Sequence, residues 1–140
     1  MASIFSKILS GELPGHYVWK DELCFAIMTI QPIRPGHLII IPIEEVNHWD
    51  EVPPATAAHM TQVAQKIAKG IKAVIPCKRV GVTIIGLEVP HAHVHLIPID
   101  HLIDMDFKLA HLLPNAELAV TAASIRAALV NLGYQQADIG

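Results

Sequence analysis

Charge is scarce in this chain. Only 16% of the 140 residues are Asp, Glu, Lys or Arg, and the formal net charge is −3. There is no basic run and no interleaving of basic with aromatic residues, so nucleic-acid binding is not indicated. Aromatic residues make up 5%, which leaves aliphatic side chains to build the core. Cys24 and Cys77 stand far apart and form no metal-type pair. That spacing fits a reduced, intracellular compartment better than a disulfide framework. Long apolar runs are missing too: Leu38 to Ile43, the best, contains Pro42 and falls well short of the ~18 residues of a membrane helix. The first residues meet Lys7, Gly11, Glu12 and Pro14 too early for a signal peptide. These absences predict a soluble, cytoplasmic protein that engages neither nucleic acid nor membrane.

A hydrophobic fraction of 52% argues against disorder and leaves apolar surface for a second subunit. The length suits one domain spanning residues 1–140. Ile4, Phe5, Ile8 and Leu9 recur at helical spacing, with Ser3 as cap and Gly11 and Pro14 beyond the end. Strands are predicted over His16–Lys20 and Leu23–Thr29, joined at Asp21-Glu22, and over the β-branched run His37–Pro42. Pro53-Pro54 opens a helix with Thr56 as cap. Its stripe is Met60, Val63, Ala64, Ile67, Ile71 and Val74, and Pro76 ends it. Arg79–Ile85 and Val89–Ile99 read as strands around Gly86, and Asp100–Pro114 as loop. A last helix is capped by Asn115, carries Leu118, Ala122, Ile125, Leu129 and Leu132, and stops at Gly133. The order predicts an α+β fold: an antiparallel sheet of about five strands with packed helices, plus a C-terminal helix.

Within that order, three histidines alternate along His91-Ala92-His93-Val94-His95. On a strand they would share one face, with adjacent Cβ atoms roughly 6.6 Å apart. Imidazole titrates nearest neutrality, so such a row offers a neutral nucleophile and proton donors together. Its apolar company, Val89, Ala92, Val94, Leu96 and Ile97, places it near the core, where each ring must find a partner. A His-based metal site is one alternative, although three such residues span roughly 13 Å, awkward for one ion.

Three separated segments resemble the histidine triad (HIT) family. Ile4-Phe5-Ser6-Lys7-Ile8-Leu9-Ser10-Gly11-Glu12-Leu13-Pro14 looks like its I-F-x-K-I-x-x-G-E-I-P opening. Ile30-Gln31-Pro32-Ile33-Arg34-Pro35-Gly36-His37-Leu38-Ile39-Ile40-Ile41-Pro42 is similar to D-I-x-P-x-x-P-G-H-x-L-V-I-P. The run from His91 to Pro98 matches H-φ-H-φ-H, where φ is apolar. The resemblance covers roughly residues 3–98, and the extension from about 100 to 140 lies outside it.

The resemblance implies a homodimer with a purine nucleotide as substrate and no cofactor. The reaction would be hydrolysis or transfer at the α-phosphorus, with His93 forming a nucleotidyl-imidazole intermediate. His95 would donate to a phosphate oxygen or the departing group. His91, placed close to His37, would help hold the working tautomers. Ile4, Phe5, Ile8, Ile27 and Ile30 stand where the family packs its base. Thr29 replaces the usual ribose-binding Asp. The approach Gly81–Pro90 lacks the family's Asn and puts Leu87 where Gln is expected, with Glu88 beside it. Ser3 and Ser6 replace the C-x-x-C with which some members bind structural zinc, so no metal is expected. A nucleotide-binding regulatory dimer with little turnover is the other reading of these departures.

Overall fold

The computed structural model describes residues 2–139. Strands β1 (Tyr17–Lys20), β2 (Cys24–Met28), β3 (Leu38–Pro42), β4 (Arg79–Thr83) and β5 (Val94–Ile99) form one sheet in the order β1-β2-β3-β5-β4. Every pairing is antiparallel, as the alternation predicts. Helices α1 (Ile4–Leu9), α2 (Pro54–Val74) and α3 (Asn115–Asn131) flank it. Among the described residues no helix is long and apolar enough to cross a membrane.

The sheet separates two layers because side chains alternate along each strand. Ala26, Met28, Leu38, Ile40, Val94 and Leu96 face the larger core, where α2 supplies Met60, Val63, Ile67 and Ile71 and α3 supplies Leu118, Ala122, Ile125 and Leu129. Phe25, Ile27, Ile39 and Ile41 face the other way and pack with Phe5 of α1. β2 and β3 are therefore buried on both sides, which explains their unbroken aliphatic runs. Burying one isoleucine such as Ile67 contributes about 2–3 kcal/mol. Asp21 closes the first hairpin by accepting from the N–H groups of Leu23 (2.8 Å) and Cys24 (2.9 Å).

Several boundaries differ from expectation. Thr56 lies inside α2 rather than at its cap, because Pro54 occupies the first turn and Pro53 the cap position. Proline there fixes φ and has no N–H to satisfy, so the helix starts earlier than a threonine cap would allow. Asn115 is likewise the first helical residue of α3, with Pro114 at the cap. Val74 and Leu132, 38% and 49% exposed, lie beyond the ends of the buried stripes. β4 ends at Thr83 and β5 begins only at Val94. Gly86 turns the chain at φ +73°, and Ala92 N–H then donates to Val46 O (2.7 Å) in the loop after β3 rather than to β4. The expected loop over 100–114 contains two single-turn 3₁₀ helices, Leu102–Met105 and Phe107–Leu109.

The two long helices meet closely at Gly70. A Cβ there would stand 2.6 Å from Leu129 Cδ2 and 2.7 Å from its Cγ. Overpacking at such a contact costs about 1–3 kcal/mol, against a helix-propensity gain of about 1 kcal/mol. Gly70→Ala should therefore lower the urea midpoint despite being a better helix former. In a Leu129→Ala background the same change should be neutral or stabilising; equal losses in both backgrounds would refute the contact.

Candidate active site

The β3–β5 register sets where each imidazole can reach. Leu38 pairs with Leu96, Ile39 with His95 and Ile40 with Val94. Moving back from Ile39 to His37 therefore corresponds to moving forward from His95, away from His91. His37 Nε2 lies 2.9 Å from His95 Nδ1, so the expected neighbour of His37 is corrected from His91 to His95. His91 falls instead at the far end of β3, with its Nε2 2.7 Å from Pro42 O. Only His95 is in the regular strand; His91 and His93 sit on the extended approach.

Hydrogen-bond partners assign the tautomers. Ile33 N–H donates to His37 Nδ1 (3.0 Å), so His37 carries its proton on Nε2 and donates to His95 Nδ1. His95 then carries its proton on Nε2. His93 Nδ1–H donates to His91 O (2.9 Å), which leaves the lone pair on His93 Nε2. The neighbouring rings of His93 and His95, with centroids 4.9 Å apart, thus present one nucleophilic nitrogen and one N–H donor. No buried side-chain nitrogen or oxygen among the described residues lacks a partner.

Burial keeps this set neutral. Desolvation lowers the His95 pKa to about 3, reinforced by the adjoining His93 and His37 rings, and that of His37 to about 4. Desolvation lowers His93 as well. Part of the cover is Phe107, whose ring stands edge-on to His95 at 4.8 Å and to His37 at 5.9 Å. Arg34 holds that segment in place through Asp100 (3.1 Å) and Asp104 (3.0 Å). His111 N–H and Leu113 N–H also donate to Pro32 O and Ile30 O. The extension beyond residue 100 therefore reaches the site, a role that no periodicity or motif in the sequence marks.

His37, His93 and His95 open onto a cleft of about 400 Å³ whose wall includes Thr29, Gln31, Ile85, Leu87, Glu88 and Phe107. No Lys or Arg lines it. His91 is fully buried behind this wall. Of the six residues expected around a nucleoside, Thr29 alone lines the cleft. Phe5 is buried with its ring 5.0 Å from that of His93. Ile27 packs beside Phe5, and Ile8 is partly buried against the same cluster. Ile4 and Ile30 are 47% and 56% exposed. Ser3, predicted as a cap, both accepts from Ser6 N–H (3.1 Å) and bonds His91 Nδ1 (2.7 Å).

A family model described as "HIT domain" matches residues 10–102. The purine nucleoside phosphoramidase of Escherichia coli is 35% identical over 105 residues, covering 68% of this chain and 85% of that protein. A solved structure of a Hit-like protein involved in cell-cycle regulation from Bartonella henselae superposes with a TM-score of 0.80 at 29% identity, covering 90% of this chain and 95% of that one. A zinc-bound histidine triad family protein from Mycobacterium smegmatis also gives 0.80, at 27% identity and 95% and 96% coverage.

The depressed imidazole pKa values have a consequence for stability. An unfolded His takes a proton near pH 6.5, whereas the folded His37 and His95 do so only near pH 4 and pH 3. Between those limits the unfolded state binds more protons, so stability falls as pH drops from about 6.5 to 4. Urea midpoints should decline across this window. The decline should be shallower in Phe107→Ala, where a wetter His95 titrates nearer its ordinary value. A flat profile, or a slope unchanged by the substitution, would mean the rings are already solvated.

Proposed function

The chain belongs to the histidine triad family, and from that premise we propose a nucleotide hydrolase or transferase that attacks the α-phosphorus through His93. The observation that carries this reading is the tautomer pair: a lone pair on His93 Nε2 beside an N–H on His95 Nε2, both at one cleft. In the first step His93 Nε2 bonds to phosphorus as the bond to the leaving group breaks. The leaving group departs with its electron pair and takes a proton from water. Water then displaces the imidazole, giving the free nucleotide. His95 N–H stabilises charge on the phosphoryl oxygen during both steps, and holding the groups in place supplies most of the acceleration.

A nucleoside phosphoramidate is the favoured substrate class, as the name of the Escherichia coli relative suggests. A wall with no Lys or Arg and one carboxylate, Glu88, suits a single phosphate charge better than a polyphosphate. Thr29, on the cleft wall, is assigned to a ribose hydroxyl. The apolar set Ile4, Phe5, Ile8, Ile27 and Ile30 does not line the cleft, so its part on the purine side is reduced to backing the site through Phe5, which packs on the His93 ring. We place all of this in one domain, with the extension after residue 100 completing the site through Phe107.

The same reading includes a homodimer. β4 is one of the two end strands of the sheet. It borders an apolar hollow of about 250 Å³ between Val80 and Val82 of β4 and Met60 and Ala64 of α2. Val82 is 57% exposed. An open edge with aliphatic side chains is a surface that soluble proteins usually cover. Light scattering at micromolar concentration should give about twice the 15.3 kDa chain mass, and Val82→Lys should lower it; a wild-type monomer would reject the dimer.

His93→Gly should abolish turnover of adenosine 5′-phosphoramidate by several powers of ten while leaving nucleotide binding intact. Mass spectrometry of a quenched reaction should find the nucleotidyl group on His93 in the wild type. Near-normal turnover by the variant would defeat the mechanism, and binding without covalent transfer in the wild type would favour a regulatory nucleotide binder.

A further inference from the structure

Helix α1 makes contacts that nothing in the proposed chemistry uses directly. Ser3, at its start, is 5% exposed, and its Oγ lies 2.7 Å from His91 Nδ1. Glu45, in the loop after β3, accepts from Ser3 N–H (2.6 Å) and from Ser6 Oγ–H (2.8 Å) through one oxygen, Oε1. Three segments remote in sequence thus meet at one cluster behind the cleft.

In relatives with thiolates at positions 3 and 6, this is where a zinc ion would be sought. The residues of this chain do not fit one. Zinc takes Cys, His or carboxylate ligands; here two of the positions offer neutral hydroxyls. His91 has no free nitrogen, since Nε2–H donates to Pro42 O and Nδ1 is held by Ser3. Ser3 Oγ is itself occupied by Ser6 N–H.

The direction of these bonds can be read off. Pro42 O can only accept, so the His91 proton is on Nε2 and Nδ1 is an acceptor. Ser3 Oγ–H must then donate to it. This pins the His91 ring from both sides, and with it the peptide whose carbonyl receives His93 Nδ1–H. Phe5, two residues after Ser3, packs edge-on against the His93 ring and tilted against His91. The Glu45 carboxyl, accepting from Ser3 N–H and Ser6 O–H, is held at about 2.

We propose that Glu45, Ser3 and His91 form a metal-free clamp that fixes the tautomer and orientation of His93, making Ser3 and Glu45 positioning residues for the nucleophile. The inference rests on the assignment of His93 as nucleophile, but the clamp itself can be observed without turnover. A clamp of this kind sets the rate of attack rather than substrate affinity. A mere structural staple would lower the melting temperature and leave the His93 ring unchanged.

The experiment is a histidine-¹⁵N NMR spectrum of the whole protein, recorded beside single-turnover rates with adenosine 5′-phosphoramidate, for wild type, Ser3→Ala, Ser3→Thr and Glu45→Gln. In the wild type His93 should appear as the Nδ1–H tautomer. Ser3→Ala should populate the other tautomer and slow nucleotidylation roughly tenfold to a hundredfold, with KM within about twofold. Ser3→Thr, which keeps the hydroxyl, should restore both, and Glu45→Gln should lie between. Equilibration with zinc chloride followed by dialysis should leave no stoichiometric zinc at His91 of the wild type. An unchanged His93 spectrum and rate in Ser3→Ala would overturn the clamp, and so would one retained zinc per chain that shifts the His91 ring signals, which separates it from zinc held by Asp21, Cys24 and His59. Should Ser3→Ala fail to fold, Glu45→Gln against wild type decides by the same spectrum. Failure of the wild type to react would count against the proposed function, while the spectra would still decide the clamp.

Discussion

A buried imidazole has two ring nitrogens, and each must either find a partner compatible with a single proton or, like Nε2 of His93 and His95, open onto the cleft. Four such rings crowd the back of this cleft. Desolvation opposes charging His37, His93 and His95, and neighbouring rings add repulsion at His93 and His95. The structure meets the constraint by ending each hydrogen-bond chain on the main chain. Ile33 N–H fixes His37, and His37 fixes His95. Pro42 O fixes His91, and His91 O fixes His93. Backbone donors and acceptors do not titrate, so these ends of the chains stay fixed, while the Ser3 hydroxyl holds the other nitrogen of His91.

Those main-chain groups come into place through sheet register rather than local sequence. Antiparallel pairing of β3 with β5 sends His37 towards His95 and His91 towards Pro42. A slip of one residue would move every histidine to the opposite face, into the aliphatic layer beneath α2 and α3. Register is held on that side by Leu38, Ile40 and Leu96, all fully buried. The core under one face of the sheet therefore fixes the chemistry on the other. The ion pairs of Arg34 are partly exposed and contribute little stability; their effect is to place Phe107 over His95.

Much of this is legible in the sequence alone. The aliphatic runs, the two helical stripes and the histidine alternation specify an antiparallel α+β arrangement because burial periodicity depends on neighbours a few residues away. His37, His93 and His95 could be named for the same reason, since strand alternation and the quoted motifs are local patterns. What stayed hidden depends on distant pairs. The bond from Ser3 to His91 spans 88 positions, and nothing around Ser3 distinguishes a cap from a cap that also holds an imidazole. Phe107 carries no pattern at all; it becomes a site residue because Arg34 reaches Asp100 and Asp104. The partner of His37 is decided by the β3–β5 register, which the local motifs do not carry. Prolines at the cap positions of α2 and α3 similarly displaced the expected polar caps.

Neutrality also limits what the cleft can hold. Under the proposed function, with His37, His93 and His95 held neutral by burial and no Lys or Arg on the wall, a bound phosphate would be met by N–H donors rather than by cations. Neutral donors stabilise a single delocalised charge well, but each additional phosphate would bring further repulsion with no counter-charge inside the cleft. At 4 Å two unit charges repel by about 4 kcal/mol at an effective dielectric constant of 20. Glu88 adds to that opposition wherever a second phosphate approaches it. The approach from Gly81 to Pro90 also lacks the Asn and Gln amides expected from the motif. Under the proposed function, amide loss and cation absence both favour a leaving group that brings no negative charge of its own. An amine on phosphorus meets that condition, and a phosphate does not. Under the proposed mechanism, selectivity then comes from what the wall withholds, while the histidines set only where the bond is broken.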